Sequence, residues 1–419
     1  MEHTMNDYSF RAKDSLVGAQ MLFVAFGALV LVPLLTGLDP NVALFTSGVG
    51  TLIFQLVTKR SVPIYLASSF AFIAPIIYGV KTWGIPSTLC GLAAAGVLYL
   101  VFAALIKIKG KEILEKILPP IVTSPVIMVI GLVLTPVAIN MATGKTADGA
   151  TVLFPQNQAV LLAVVALLTT SLISLIGKGI FKFIPILCGI AAGYILSLFL
   201  GVVDFSPVMK APWFAIPSFT FPKWNWSAII YIVPVAIAPA IEHVGDIVAI
   251  GSIAGKDYIK DPGIHRTMAG DGLATIAASL MGGPPNTTYS EVSGAVALTR
   301  CFNPGIMTWS AIFAILFSFS GKLGAALRSI PSPVMGGVMI LLFGAIAVVG
   351  LSGLVRSQVD VMKPRNLVII AIILVFGIGG MCFSFGKFAI KGIGLAGIVG
   401  VLLNLLLPGR EEQSQKDSV

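Results

Sequence analysis

Charge is scarce in this chain, and that scarcity excludes most soluble folds. Asp, Glu, Lys and Arg make up 11% of its 419 residues, against about 25% in a soluble domain. Hydrophobic residues reach 57%, and the mean hydropathy is +0.97. The three histidines and the four cysteines (Cys90, Cys188, Cys301 and Cys382) lack metal-ligand spacing. The cysteines sit in or beside apolar runs, which argues against a disulfide framework. The 44 glycines form neither a P-loop nor a strand-preceded dinucleotide fingerprint. Clusters such as Gly392-Ile393-Gly394 suit close helix packing instead. No nucleophile–base pair accompanies the few acids, so neither an enzyme nor a cofactor is expected.

What the chain does have is a succession of apolar runs of about 20 residues, the length that crosses a bilayer. Fourteen spans are predicted: 16–37, 41–58, 68–80, 85–106, 118–140, 158–177, 183–203, 227–251, 267–282, 290–301, 305–320, 332–354, 366–384 and 389–408. The first run, from Leu16 to Leu35, has no convincing cleavage site and is expected to stay as a span. The net charge of +9 reflects topology and does not call for nucleic acid. Nineteen of the 27 basic residues fall in alternate loops or at the ends, among them Lys59-Arg60, Lys107 to Lys116, Lys178, Lys182, Lys256, Lys260 and Arg266. That bias predicts both termini on the cytoplasmic side of a cell (inner) membrane. The proline-rich stretch from Asp204 to Trp226 reads as a semi-extended extracellular linker. Residues 1–10 and 410–419 read as polar tails.

Spans three and ten are too short for ordinary helices, and both begin in small polar sequence: Ala67-Ser68-Ser69-Phe70-Ala71-Phe72 and Thr287-Thr288-Tyr289-Ser290-Glu291. Ser69 and Thr288 lie 219 positions apart, and Gln20 and Glu242 lie 222 apart. Paired broken segments at a near-constant offset predict two seven-span repeats of opposite orientation, with the binding site at the breaks. Three carboxylates lie in or beside this region. Glu242 and Asp246 are four residues apart on one helix face, and Glu291 follows the second break. Acids at bilayer depth are costly, so the group reads as a buried polar site of a transporter. Carboxylates accept N–H bonds and free backbone N–H groups answer carbonyls, so the site suits a flat neutral solute bearing both. Two acids at i and i+4 cannot both ionise cheaply. Glu242 and Asp246 are therefore expected to share a transported proton. His243 points about 100° away from Glu242, and packing serves it as well as function. Asp271 is not expected to touch substrate, and Asn286 and Thr288 are expected to satisfy the broken backbone.

Several motifs occur in the order found in one transporter family. Ala240-Ile241-Glu242-His243-Val244-Gly245-Asp246, Asp261-Pro262-Gly263-Ile264-His265-Arg266, Pro285-Asn286-Thr287-Thr288-Tyr289-Ser290-Glu291 and Ala297-Leu298-Thr299-Arg300 resemble the signature run of the nucleobase–ascorbate transporters. Ser68 to Ile73, Pro119-Pro120 and Val129 to Leu132 are similar to further motifs of that family. The likeness runs from about residue 14 to 408 and is greatest to bacterial uracil permeases, because Glu291 stands where purine transporters commonly carry glutamine.

The resemblance implies an all-α fold of two inverted seven-span repeats, with short extended segments before spans three and ten. It implies a core domain (14–110 and 227–325), a gate domain (111–204 and 326–408) and a linker (205–226). It implies proton-coupled import of uracil by alternating access, and a homodimer joined through the gate domains. Carried over, Glu242 and Glu291 bond the pyrimidine ring, and the backbone at Phe70 or Ala71 and at Ser290 meets its carbonyls. Tyr289 helps form the pocket, and Asp246, Glu242 and Glu291 couple the proton. Two departures bear on coupling: Asp246 stands where uracil permeases often have histidine, and Gln20-Met21 where many have glutamine-histidine. A purine permease is the alternative within the family. An anion exchanger or channel on the same scaffold is the other, and the acids argue against it.

Overall fold

The computed structural model describes residues 8–110, 117–385 and 388–409. It is mostly helical. The helices that position the site are α1 (Ser15–Thr36), α2 (Pro40–Val57), α3 (Ile73–Lys109), α4 (Pro120–Val133), α5 (Gln156–Ile176), α6 (Pro185–Phe199), α7 (Ile237–Ala254), α8 (Ile264–Met281), α9 (Ser290–Thr299), α10 (Gly305–Ser318), α11 (Ser332–Arg356), α12 (Pro364–Ile378) and α13 (Gly392–Leu406). Among the described residues, seven helical stretches are long and apolar enough to cross a membrane, and four shorter apolar helices accompany them. The longest stretch, Phe70–Lys109, is not one straight rod. Gly84 breaks it at φ 78°, ψ 167°, a conformation open to glycine because it lacks a Cβ.

Two short strands interrupt the helices, β1 (Leu66–Ser68) and β2 (Asn286–Thr288). They pair antiparallel, with Leu66 opposite Thr288, Ala67 opposite Thr287 and Ser68 opposite Asn286. Local sequence explains why the chain extends here. Gly282 ends α8 in the left-handed region, and Pro284-Pro285 cannot supply the N–H groups that would restart a helix. Three-residue strands have little strength of their own, and side chains anchor them. Asn286 Nδ2 donates to the Thr46 carbonyl at 2.8 Å, Thr275 Oγ1 donates to the Asn286 carbonyl at 2.7 Å, and the Leu66 N–H reaches Thr51 Oγ1 at 3.1 Å.

The packing falls into two sets. α8 lies against α2 and α3, while α10 lies against α1 and α2. Separately, α11 lies against α4 and α5, α5 against α6, and α12 against α4 and α13. Small residues permit the close approaches. A Cβ on Gly272 of α8 would meet the Gly96 carbonyl oxygen and the Tyr99 Cβ of α3, both at 2.9 Å. Gly272→Val is therefore expected to destabilise the α3–α8 contact by about 1–3 kcal/mol through overpacking, read as a lower thermal transition of the detergent-solubilised protein.

Three local expectations need correction. Residues 8–10, read as part of a polar tail, are docked: Phe10 stacks on Trp309 at 4.6 Å, and the Ser9 N–H donates to Asn303 Oδ1 at 3.0 Å. Apolar stacking and paired backbone groups hold this end down; the rest of that tail and residues 410–419 lie outside the described residues. The linker is semi-extended with one helical turn, Ser206–Lys210, and its backbone bonds to the ends of other elements, as from Ala215 N to the Phe319 carbonyl. The helices within the predicted spans 366–384 and 389–408 are shorter than those spans. Helix α12 ends before Gly379-Gly380, and a hairpin of β3 (Cys382–Phe385) and β4 (Phe388–Lys391) follows. Apolarity made this stretch look continuous, but Gly380 at φ 67° and aromatic-rich flanks favour extended pairing.

Candidate functional site

β1 and β2 deliver the chain to two helix starts side by side. Phe70–Phe72 forms a single 3-10 turn leading into α3, and α9 begins at Ser290. Neither start has a side-chain cap. No N-cap side chain covers the first N–H groups, and the partial positive charge of a helix N-terminus lies behind them. Tyr289 and Ala71 are buried, and Phe70 is half-buried with its ring 6.3 Å from that of Tyr289.

Helix α7 passes alongside and brings the acids. Asp246 is 5% exposed and accepts two hydroxyls from the second break. Thr288 Oγ1 donates to its Oδ2 at 2.7 Å, and Ser290 Oγ donates to its Oδ1. Glu242, one turn earlier, is different. Its side chain presents surface to open space, as do Gly245, Ser290 and Glu291, and no hydrogen bond to it is made among the described residues. Glu242 nonetheless lies within electrostatic reach of Asp246, Glu291 and Asp271. Glu291, in the first turn of α9, accepts from its own backbone N–H, a placement that the helix N-terminus favours.

The residues expected to bind substrate or the proton thus fall around the two breaks. Ser290 and Asp246 touch directly, Phe70 and Tyr289 pack ring against ring, and Glu242 and Glu291 are both exposed and within electrostatic reach of each other. Sequence reasoning undervalued three side chains. Thr288 holds Asp246 as well as sitting in the broken backbone. His243 and Asp271 are both fully buried and lie 3.1 Å apart. The available signal was an acid inside an apolar run, which marks function by default. No group of His, Cys, Asp and Glu among the described residues is arranged to hold a metal ion.

Comparison with known proteins places this geometry. The family model described as Permease family (Xan_ur_permease) matches residues 12–384. A probable uracil permease of Haemophilus influenzae is 58% identical, covering 95% of each chain. The uracil permease of Bacillus caldolyticus is 46% identical, covering 94% of this chain and 92% of its own. The uracil permease of Escherichia coli K12 is 40% identical, covering 92% and 89% respectively. Among solved structures, the transmembrane domain of a cyanobacterial bicarbonate transporter, BicA, matches with a TM-score of 0.67 at 14% identity, covering 96% of this chain and all of that one. Murine Solute Carrier 26 family member A9, an anion transporter in the inward-facing state, matches with a TM-score of 0.68 at 11% identity, covering 97% and 69%. These two show a shared fold. The chain is a multi-pass membrane transporter rather than an enzyme, and it belongs to the Permease family, that of the nucleobase–ascorbate transporters.

Proposed function

We propose that this chain imports uracil together with protons across the cell (inner) membrane by alternating access, with both termini cytoplasmic. The observation that carries the reading is the pair of acids, Glu242 and Glu291, both exposed and within electrostatic reach of each other at the uncapped start of α9. Uracil offers two ring N–H donors and two carbonyls. The carboxylates accept the donors, and backbone N–H groups at Phe70 or Ala71 and at Ser290 meet the carbonyls. Tyr289 closes one wall. A solute lacking either set leaves buried polar groups unpaired, which is where selectivity arises. The substrate itself comes from the relatives, three of which are named uracil permeases at 40–58% identity.

The proton is carried by the acidic group of Glu242, Asp246 and Glu291. Glu242 and Asp246, one helical turn apart, share the proton taken from outside, and its loss inside loosens substrate. An exposed stripe on α7, running from Glu242 through Gly245, Val248 and Ser252 to Gly255, supports a path from the site toward the Lys256 loop. Fourteen spans in two inverted repeats account for two further features. The paired strands come from positions 220 residues apart and run antiparallel, and the Gly84 break divides one long stretch into spans three and four. The two packing sets support a core domain (14–110 and 227–325) and a gate domain (111–204 and 326–408) on either side of the 205–226 linker. The resemblance adds a homodimer through the gate domains. Although relatives in fold carry anions, the acids oppose a permeant anion here.

The test is uptake of labelled uracil into proteoliposomes with and without an inward proton gradient, competed by unlabelled xanthine. Gradient-driven uptake that xanthine leaves untouched is the expected result. Uptake of xanthine alone moves the substrate to purines, and current without nucleobase revives the anion reading.

A further inference from the structure

A groove that shares no residue with the two breaks runs along α3. A Cβ on Gly91 would meet the Ala228 carbonyl oxygen at 2.6 Å, and one on Gly96 would meet the Gly272 carbonyl oxygen at 2.8 Å. The short helix Trp226–Ile232 and α8 therefore press on α3 from two sides. Between them lies a cavity of about 580 Å³. Its floor is one face of α3, formed by Cys90, Ala94, Val97 and Val101, at the spacing of a single helical stripe. Val97 and Val101 are about half exposed, so the groove is open to its surroundings. No charged side chain lines it among the described residues. Such an apolar hollow does not hold water, and atoms facing a void forfeit their contacts. In a bilayer the filler at hand is hydrocarbon.

Length and chemistry single out one occupant. From Cys90 to Val101 a helix rises about 17 Å, close to the roughly 15 Å of half a hydrocarbon core. At one end the linker forms a mouth, where Pro222, Trp224 and Trp226 line the groove. The linker is pinned there: the Lys223 N–H donates to the Pro86 carbonyl at 2.8 Å, and the Thr220 N–H to the Met281 carbonyl at 3.3 Å. The Trp224 and Trp226 rings lie 5.0 Å apart, edge to face, and both are exposed. Exposed indoles at the end of an apolar face mark the headgroup level of a membrane. Lys223, also exposed, brings a cation to that level, and no acid occurs from residue 205 to 226. The Lys223 ammonium and the two indole N–H groups make no hydrogen bond or ion pair among the described residues. We propose that the groove seats one anionic phospholipid of the phosphatidylglycerol class. An acyl chain lies along Cys90, Ala94, Val97 and Val101, and the phosphate is met by the two indole N–H groups and the ammonium, whose flexible stem spans the mouth. A zwitterionic phospholipid offers the same phosphate, but its own ammonium offsets the attraction of Lys223. The transported solute plays no part in this seat, which stands apart from the uracil reading.

Native mass spectrometry of the full-length protein in detergent, titrated with phosphatidylglycerol or phosphatidylethanolamine, reads bound lipid and oligomeric state together. Wild type is expected to hold its tightest phosphatidylglycerol about fivefold more tightly than phosphatidylethanolamine, the effect of one lysine beside an anionic lipid. Lys223→Gln should abolish that preference and leave the affinity for phosphatidylethanolamine unchanged. Ala94→Trp, which fills the hollow, should remove the tight adduct of either lipid. Equal affinity for the two lipids in the wild type overturns the proposal. So does a tight adduct that survives Ala94→Trp. A dimer that Ala94→Trp abolishes while lipid binding persists makes a second copy of the chain the occupant, and overturns it as well. Should Ala94→Trp fail to fold, the exposed Lys223→Gln still decides, because a preference that survives it places the anionic lipid elsewhere.

Discussion

Glu242→Gln is expected to abolish gradient-driven uracil accumulation and to weaken uracil binding by about ten- to a hundredfold. The loss follows from replacing a charged acceptor by a neutral one. Hydrogen bonds to charged groups contribute about 1.5–3 kcal/mol, roughly twice the neutral value, and glutamine cannot carry a proton. The same substitution should leave thermal stability unchanged or raise it. Glu242 makes no hydrogen bond among the described residues, and a carboxylate at membrane depth is costly to keep. Opposite signs in the two measurements separate a functional acid from a packing one. Wild-type accumulation, or a clear fall in melting temperature without a binding defect, would place Glu242 in the scaffold.

Asp246→Asn should have the complementary profile, with binding kept and coupling lost. An asparagine accepts one hydroxyl through its oxygen, and the other hydroxyl can rotate to accept from the amide. The contacts from Thr288 and Ser290 therefore survive. What disappears is the second carboxylate of the pair, one helical turn from Glu242, with which the transported proton is shared. Equilibrium uracil binding is expected to stay within about threefold of wild type, while accumulation under an inward proton gradient falls to the level seen without one. A variant that still responds fully to the gradient would mean that the proton is carried elsewhere.

These two expectations rest on residues visible in the sequence, whereas the His243–Asp271 contact behind them is not visible there. Glu242, Asp246 and Glu291 stand out because acids are rare in apolar runs, and the breaks stand out because Ser, Thr and Asn cluster where apolarity fails. His243 and Asp271 were each ambiguous alone. Packing serves the one as well as function does, and the other is not expected from sequence to touch substrate. Only their 3.1 Å contact gives them a joint meaning. Likewise Thr288 read as a satisfier of broken backbone until the structure set its hydroxyl 2.7 Å from Asp246.

The sequence by itself determined the membrane class, the order of the apolar segments, the breaks and the acids. Each of these depends on composition within a short window, because a bilayer demands a length of apolar helix whatever lies beside it. Tertiary structure decided which residues meet: β1 against β2 across 220 positions, Asp246 against Thr288 and Ser290, His243 against Asp271. It also decided where apolar sequence bends into a hairpin and where the polar N-terminal stretch docks. The physical reason is that lipid and protein interior are nearly equally apolar. Helices hydrophobic all round carry no periodic signal of which face turns inward, and only packing of the folded chain selects the partners.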